Sequence, residues 1–267
     1  MGQKSNLLTL RKNKNLNLLN LQNKNFIYPI TFLKLLKKLF DQKKIFLVNS
    51  SFNILGNQII LNLHLFFRTV KITKFKRNTL FSRKKESKYK NFLNTYSKIL
   101  SFLKANSITL TITNFNKYLD KFLFQKLFFQ FKKYHTTIFP RRFNFFIDFI
   151  KISILFFYSK INLNFYTEIV GQIFKILPKR RHNLFFSFVH LFFKKLIYDF
   201  QQLHKGSLKG VKFMICGRIA AKPRAKFKYF QIGTIPSQTI ESNVEFSKVH
   251  VYTLYGVFGF KIWTYRL

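Results

Sequence analysis

Three segments in the first half of the chain have the residue pattern of β-strands. Ile45–Leu55 and Gln58–Phe67 are rich in β-branched residues, Leu and Phe, and Gly56-Asn57 between them is a typical hairpin turn. Ser107–Thr113 alternates apolar and polar residues with period two, as a strand with one buried face does. Residues 88–104 have a helical pattern. The sequence therefore predicts a hairpin, a helix and a third strand, in that order.

Apolar residues at helical spacing predict helices elsewhere in the chain. Tyr28–Phe40 has the pattern of a short amphipathic helix with a lysine face, and the Phe-rich residues 115–162 are expected to be helical. Tyr166–Leu177 continues as an amphipathic helix that Pro178 stops. A helix rich in Phe and Leu is then expected to run to Leu203.

The last part of the chain has the pattern of a sheet with many turns. Six of the nine glycines lie there: Gly206, Gly210, Gly217, Gly233, Gly256 and Gly259. The strand-like runs are Val211–Ile219, Ala225–Ile232, Thr239–Phe246 and Val257–Tyr265. Helices followed by a turn-rich sheet predict an α+β architecture.

The charge of the chain narrows its function. Lys and Arg total 48 against 8 Asp and Glu, which gives a formal net charge of +40, yet 48% of the residues are hydrophobic and 38 are Phe. Disordered basic tails contain few aromatic residues, so the composition excludes that class. A folded chain of this charge repels itself strongly unless a polyanion neutralises it. Nucleic acid or an anionic membrane is therefore the expected environment.

Candidate catalytic and metal-binding residues are scarce. The single cysteine, Cys216, excludes an intrachain disulfide and a thiolate-rich zinc site. The six histidines show no metal-binding spacing. Among the carboxylates, only Glu241 and Glu245 are close together in sequence. We therefore predict that the chain is not an enzyme and holds no metal or cofactor.

Two strongly apolar stretches could be mistaken for membrane spans. Phe143–Tyr158 is too short to cross about 30 Å of hydrocarbon and contains Asp148 and Lys151. Asn183–Phe200 contains His190, Lys194, Lys195 and Asp199. Both are expected to be buried or amphipathic helices, and no membrane insertion is predicted.

Six motifs appear in order in the β-rich part of the chain. They are Lys209-Gly210-Val211-Lys212, Gly217-Arg218-Ile219, Ala221–Lys226, Ile232–Thr239, Asn243–Phe246 and Tyr252–Trp263. In this order and spacing they resemble the C-terminal domain of the small-subunit ribosomal protein S3 family. Met1-Gly2-Gln3-Lys4 also resembles the usual start of that family.

The resemblance implies an α+β fold with two domains. A degenerate type-two KH-like N-terminal domain with insertions would precede a C-terminal α/β sandwich domain with a mainly antiparallel sheet. The expected parts are a basic tail and helix at 1–44, the KH-like domain at 45–114, a Phe-rich helical insertion at 115–162 and the C-terminal ribosomal domain at 163–267. The sequence lacks the GxxG loop of KH domains, and the basic segment 68–90 stands in its place.

The resemblance also implies a structural role in the small ribosomal subunit. Its expected partners are small-subunit rRNA, mRNA and neighbouring ribosomal proteins. Lysine and arginine side chains act mainly as phosphate counterions in such particles. The residues predicted to bind rRNA are Lys4, Arg11, Arg68, Lys74, Lys76, Arg77, Arg83, Lys84, Lys85, Arg218, Arg224 and Lys226.

A further basic cluster is expected at the entrance of the mRNA channel. Family members line this entrance with basic residues on the helix that leads into the C-terminal domain. Lys179, Arg180 and Arg181 occupy a comparable place, with His182 beside them. Arg141-Arg142 is a competing cluster, and either cluster could bind rRNA instead.

Aromatic residues in the predicted sheet are interpreted as core. Residues 226–229 alternate Lys-Phe-Lys-Tyr, so lysines and rings project to opposite faces of a strand. We expect the lysines to face outward and the rings to face the core. Tyr255–Phe260 faintly resembles an RNA-binding strand of the RRM type but is interpreted as core packing, and Trp263 is expected to anchor the core.

Amino-acid usage points to an organelle. The favoured residues Phe, Ile, Asn, Lys and Tyr are encoded by codons rich in adenine and thymine, which is typical of a strongly biased organellar genome. We therefore predict a mitochondrial ribosomal protein of the matrix that is encoded in the organelle. The alternatives are a basic membrane-associated protein and an RNA-binding splicing or maturation factor.

Overall fold

The computed structural model describes Lys37, Phe40 and residues 45–55, 58–68, 107–139, 145–202, 208–239 and 241–266. These residues form two compact units, an N-terminal unit up to Lys117 and a C-terminal unit from Tyr118 onward. Lys37 and Phe40 are helical, as the sequence predicts. The rest of the helix predicted at 28–40, the helix predicted at 88–104 and the basic segment after Arg68 lie outside the described residues.

The N-terminal unit contains a three-stranded sheet. Its strands are β1 (Ile45–Leu55), β2 (Gln58–Phe67) and β3 (Ser107–Asn114), in the spatial order β1-β2-β3. The predicted hairpin and third strand are therefore confirmed. β1 and β2 are antiparallel, whereas β2 and β3 are parallel. The KH-like identity of this unit stays a prediction.

The C-terminal unit begins with helices. They are α1 (Lys121–Thr137), α2 (Phe145–Phe157), α3 (Leu163–Ile176) and α4 (His182–Gln202). Asp120 starts α1, because its carboxylate accepts hydrogen bonds from the Phe122 and Leu123 backbone N–H groups at 3.1 and 3.2 Å. The helical pattern read from the sequence is confirmed for these four segments.

Helix α2 is surrounded by protein. Eleven of its 13 residues are buried, as expected for a helix that is apolar on all sides. Its rings pack on α4, with Phe149 5.1 Å from Phe192 and Phe157 5.2 Å from Phe200 between ring centres. Within the described part of the chain, we find no helix long and apolar enough to cross a membrane.

The chain then forms a four-stranded antiparallel sheet. Its strands are β4 (Leu208–Gly217), β5 (Lys226–Gly233), β6 (Val244–Thr253) and β7 (Gly256–Arg266), in the order β5-β4-β7-β6. This α+β architecture with a mainly antiparallel sheet agrees with the predicted fold class.

The prediction for β6 is wrong by several residues. The sequence placed this strand at Thr239–Phe246, but it begins at Val244. The hydroxyl of Ser242 lies 3.2 Å from the Pro236 carbonyl oxygen and 2.8 Å from the Thr239 carbonyl oxygen, which holds the preceding residues in a turn. The strand then continues to Thr253, where its pairing with β7 ends. Charged and polar residues alternate with apolar residues along it.

The helices α3 and α4 pack on one face of the sheet, and α1 and α2 pack on other parts of the helical layer. Helix α3 approaches β6 closely because Gly171 has no side chain, and a Cβ there would lie 2.6 Å from Cγ2 of Val251. Helix α4 covers β4 and β5 through Phe186, whose ring centre lies 5.4 Å from that of Phe230. The opposite face of the sheet, called the open face below, carries the exposed rings of Phe227, Tyr229 and Tyr252.

Candidate nucleic-acid interface

The C-terminal unit has a strongly basic end. The 3₁₀ turn Lys179–Arg181, between α3 and α4, packs against the turn Ile219–Ala221, which follows β4. This contact brings together the predicted mRNA cluster and the predicted rRNA residues of the C-terminal domain. The basic end comprises Lys179, Arg180, Arg181, Arg218, Lys222, Arg224 and Lys226. Residues 178–183 and 217–228 contain no carboxylate to offset this charge.

Two of these arginines also hold the local structure. Arg181 is half-buried and donates a hydrogen bond from Nη1 to the Ile138 carbonyl oxygen at 3.0 Å, at the end of α1. Arg218 donates from Nε to the Lys222 carbonyl oxygen at 3.0 Å and closes its own turn. An arginine has five N–H donors, so both can still contact a phosphate.

Other cations of the basic end are exposed. Lys179, Arg180, Arg224 and Lys226 lie at the surface. The first turn of α4 begins at the same place, and the dipole of a helix gives its N-terminus partial positive charge. The arrangement favours a polyanion over a single small anion, since the charges are spread along two connected turns.

His182 does not belong to this surface. It is buried, its Nε2 lies 3.3 Å from the Leu177 carbonyl oxygen, and its ring contacts Phe174 and Phe258. Burial lowers the pKa of His182, and the hydrogen bond to Leu177 offsets this only in part. The grouping of His182 with the mRNA cluster is therefore wrong, because its side chain belongs to the core.

The predicted orientation of β5 is also wrong. Phe227 and Tyr229 are 64% and 59% exposed. Lys228 lies on the helix side instead, where Nζ donates to Oδ1 of Asn183 at 2.9 Å. The alternation was predicted correctly, but Phe230 is the ring of this strand that fills the core.

The strand register defines three rows of side chains on the open face. The first contains Gln231, Lys212, Trp263 and Phe246; the second contains Tyr229, Met214, Lys261 and Lys248; the third contains Phe227, Cys216, Gly259 and His250. Tyr252, which is 70% exposed, extends this face along β6. The open face therefore mixes aromatic rings with lysines.

Trp263 lies on the open face and not in the core. It is half-buried, and its ring centre is 5.1 Å from that of Phe246. Nζ of Lys212 lies 5.6 Å from the Trp263 ring centre and 5.7 Å from that of Tyr229. The core assignment of Trp263 is therefore wrong, whereas Phe258 and Phe260 are fully buried and confirm the core interpretation of their segment.

Glu245 is next to Phe246 of the open face in sequence, but its side chain points away from that face. Glu245 lies between two residues of β6, Val244 and Phe246, and its Oε2 is 3.8 Å from Nε of the buried Arg266. None of the side chains in the three rows is acidic. The open face is therefore cationic as well as aromatic.

Of the remaining predicted site residues, the structure describes only Arg68. Arg68 lies in the N-terminal unit, where its guanidinium carbon is 4.9 Å from the Phe46 ring centre. The others lie outside the described residues: Lys4, Arg11, Lys74, Lys76, Arg77, Arg83, Lys84 and Lys85, together with the competing pair Arg141-Arg142. Among described residues, no cluster of His, Cys, Asp and Glu could hold a metal ion.

Sequence reasoning missed the lysines of the open face. Lys212 and Lys261 lie between buried residues of their strands, and Lys248 follows the buried Ser247. That period-two pattern was a usable signal, but the face to which it belongs depends on which side the helices cover.

The residues that match known proteins lie in the four-stranded sheet and in the second half of α4. Residues 191–264 match a family described as ribosomal protein S3, C-terminal domain. The small ribosomal subunit protein uS3c of Cuscuta reflexa is 42% identical over 57 residues, which are 21% of this chain and 26% of the relative. The uS3 protein of Aquifex pyrophilus is 36% identical over 62 residues, 23% of this chain and 27% of the relative.

A third relative shows a match of similar length. The small ribosomal subunit protein uS3c of Emiliania huxleyi is 32% identical over 66 residues, 25% of this chain and 31% of the relative. The matches therefore span between about a quarter and a third of the relatives' own length. The residues that match the family, 191–264, include Arg218, Arg224, Lys226 and the open face, whereas Lys179–Arg181 precede them.

Proposed function

We propose that the chain is a member of the ribosomal protein S3 family, because residues 191–264 match the C-terminal domain of that family. On this premise it is a structural, non-enzymatic constituent of the small subunit of an organellar ribosome, where it binds small-subunit rRNA. The observation that carries the proposal is the basic end, which lies on the matched domain and its preceding turn. Two connected turns there present seven cations without a carboxylate in either segment.

Phosphate binding is the chemistry that this end supports. Each lysine or arginine that neutralises a phosphate releases a condensed counterion, so the affinity falls steeply as salt rises. The net charge of +40 makes a large polyanion the expected partner. Neighbouring small-subunit proteins are expected partners as well, because the family works inside that particle.

Sedimentation tests the proposal. Organelle lysate is centrifuged through a density gradient at low salt and at high salt, and the chain is detected by antibody. We expect it at the density of the small subunit at low salt, together with small-subunit rRNA. Retention in the membrane pellet after an alkaline carbonate wash would contradict the proposal and support a membrane-associated protein. Association with intron RNA in place of small-subunit rRNA would support a splicing factor.

We further propose that the basic end borders the entrance of the mRNA channel. Lys179 and Arg180 are the residues to test, because they are exposed while Arg181 also supports α1. The double variant Lys179→Glu, Arg180→Glu is expected to assemble into subunits but to load structured messages several-fold more slowly than unstructured ones. Ribosome position on the message is measured by primer extension.

The matched control changes the same charge elsewhere. Lys121 and Lys132 are exposed on α1, away from the two basic turns in sequence, and both are changed to Glu. A second comparison changes Lys194, an exposed residue of α4 that lies within the matched part of the chain. An equal effect of the control pair on structured messages would refute a local role for Lys179 and Arg180.

The compartment is proposed to be the mitochondrial matrix, with the gene in the organelle. The support is the amino-acid usage, which indicates a genome rich in adenine and thymine. Fractionation of mitochondria and plastids, followed by detection of the chain and of its transcript, tests this proposal. Recovery of the chain with plastid ribosomes would overturn the mitochondrial assignment while leaving the ribosomal role intact.

A further inference from the structure

The open face of the C-terminal sheet has the composition of a binding surface. Phe227, Tyr229 and Tyr252 are each more than half exposed there. Exposed aromatic rings clustered on one face indicate contact with a partner, because apolar surface is costly to leave in water. The helices cover the other face, so these rings are not needed to close the core.

The charge on this face selects the class of partner. Lys212, Lys248 and Lys261 project among the rings, and no side chain in the three rows is acidic. Nζ of Lys212 lies between the rings of Tyr229 and Trp263, at 5.7 and 5.6 Å from their centres. Cations interleaved with aromatic rings match the phosphates and bases of a nucleic-acid strand better than they match an apolar protein surface.

The geometry selects unpaired over paired RNA. Side chains two residues apart on a strand are about 7 Å apart, and neighbouring strands are separated by about 4.8 Å. Rings spaced in this way on a shallow sheet can stack only on bases whose faces are accessible. In a duplex those faces are covered by neighbouring bases, and proteins read duplex RNA mainly through phosphates and 2′-hydroxyls.

We propose that the open face binds an unpaired segment of RNA, with bases stacked on Tyr229, Phe227 and Trp263 and with Lys212, Lys248 and Lys261 on its phosphates. This inference rests on the proposed ribosomal function and adds a second mode of RNA contact to the phosphate contacts of the basic end. Stacking is tolerant of base identity, so little sequence preference is expected.

The chain provides its own probe for this surface. Trp263 is the only tryptophan, so its fluorescence reports on the open face. The full chain is titrated with a single-stranded RNA of mixed sequence and with a fully paired duplex of equal phosphate number. We expect the single strand to quench Trp263 and the duplex to leave it nearly unchanged. We also expect quenching to persist at salt concentrations that abolish duplex binding, since stacking depends less on salt than phosphate contacts do.

Two variants test the stacking itself. Phe227→Ser and Tyr229→Ser remove exposed rings, which the fold does not require, and leave Trp263 as the reporter. Each is expected to weaken single-strand binding by about 5- to 100-fold and to leave duplex binding unchanged. Phe129→Ser is the matched control, because Phe129 is an exposed ring of α1, 70% accessible.

The possible results separate this inference from the proposed function. Equal quenching by both RNAs, or unchanged single-strand affinity in both ring variants, would overturn the stacking surface even if the chain sediments with the small subunit. Ring variants that bind RNA normally but no longer assemble would show that a protein covers the face, and the inference would also fail. Failure of the wild-type chain to sediment with the subunit would instead overturn the proposed function.

Discussion

The hydroxyl oxygens of Thr167 and Ser247 lie 2.7 Å apart in the buried layer between α3 and β6. Thr167 also lies 2.8 Å from the Asn164 carbonyl oxygen, to which it donates, so Ser247 donates to Thr167. Gly171 follows one helical turn later on the same side of α3 and faces Val251. These contacts position the helix on the edge of the sheet.

Replacing Thr167 by valine is expected to lower the free energy of unfolding by about 1–3 kcal/mol, because the buried Ser247 hydroxyl then loses its acceptor. The measurement is urea unfolding of the full chain followed by Trp263 fluorescence. Adding Ser247→Ala should recover part of the loss. If the loss of stability in the double variant equals or exceeds the sum of the losses in the two single variants, the pairing is contradicted.

Enlarging Gly171 is expected to destabilise the C-terminal unit despite the better helix propensity of alanine. Gly171→Ala places a methyl group against the stiff Val251 side chain, and overpacking of this kind costs about 1–3 kcal/mol. Val251→Ala in the same chain should make Gly171→Ala nearly neutral. If the two changes are additive in urea unfolding, the close approach of α3 to β6 is not what constrains Gly171.

Asp199 is expected to contribute more to the stability of the C-terminal unit than either of the two lysines that contact it. It is buried, and its Oδ1 lies 3.2 Å from Nζ of both Lys126 on α1 and Lys195 on α4. Asp199→Asn removes both charged contacts and should cost about 2 kcal/mol. Lys126→Met or Lys195→Met leaves the other contact in place and should cost less than about 1 kcal/mol. A single lysine variant as unstable as Asp199→Asn would show that the two contacts are not alternatives.

Acid is expected to weaken the C-terminal unit through His182. Burial lowers the pKa of this residue below the usual 6.5, so the unfolded chain binds the proton more readily than the folded chain. The contribution of neutral His182 to the free energy of unfolding is complete above the pKa that this residue has in the unfolded chain. It is lost as the pH falls below that pKa. Urea unfolding between pH 7.5 and about 5 measures this loss.

The histidine control isolates this effect. His182→Gln should flatten the pH dependence in that range, whereas His250→Gln, at an exposed position of β6, should leave it as in the wild type. An unchanged pH profile in His182→Gln would exclude His182 as its source.

The sequence predicted the elements of the fold better than the surfaces that they form. Runs of β-branched and Phe residues predicted β1 and β2, period two predicted β3, and helical spacing predicted helical structure in the segments of α1 to α4, because local burial repeats with the geometry of each element. The sequence analysis placed β6 too early and ended it at Phe246, although Lys248 and His250 alternate with Val249 and Val251 as in a strand. What fixes those residues is pairing with β7, which is close in space only after the sheet has formed.

The candidate site shows the same limit. Arg218, Arg224 and Lys226 could be chosen from sequence because they are cations in the connection between β4 and β5 or at its ends. That the turn of Lys179 and Arg180 packs beside them follows from tertiary contacts, which no local pattern encodes. The faces of Phe227 and Trp263 were assigned wrongly for a related reason: period two separates the two faces of a strand but does not show which one the helices cover.

The strand order also sets the timing of folding during synthesis. β7 is made after β4, β5 and β6, yet it lies between β4 and β6 and supplies hydrogen bonds to both. A nascent chain that ends before Gly256 can form the β4–β5 pair but leaves β6 without its partner strand. Helices α3 and α4 can therefore pack on a complete sheet only after β7 has emerged from the translating ribosome. Until then the apolar inner faces of β4 and β6 are exposed to aggregation.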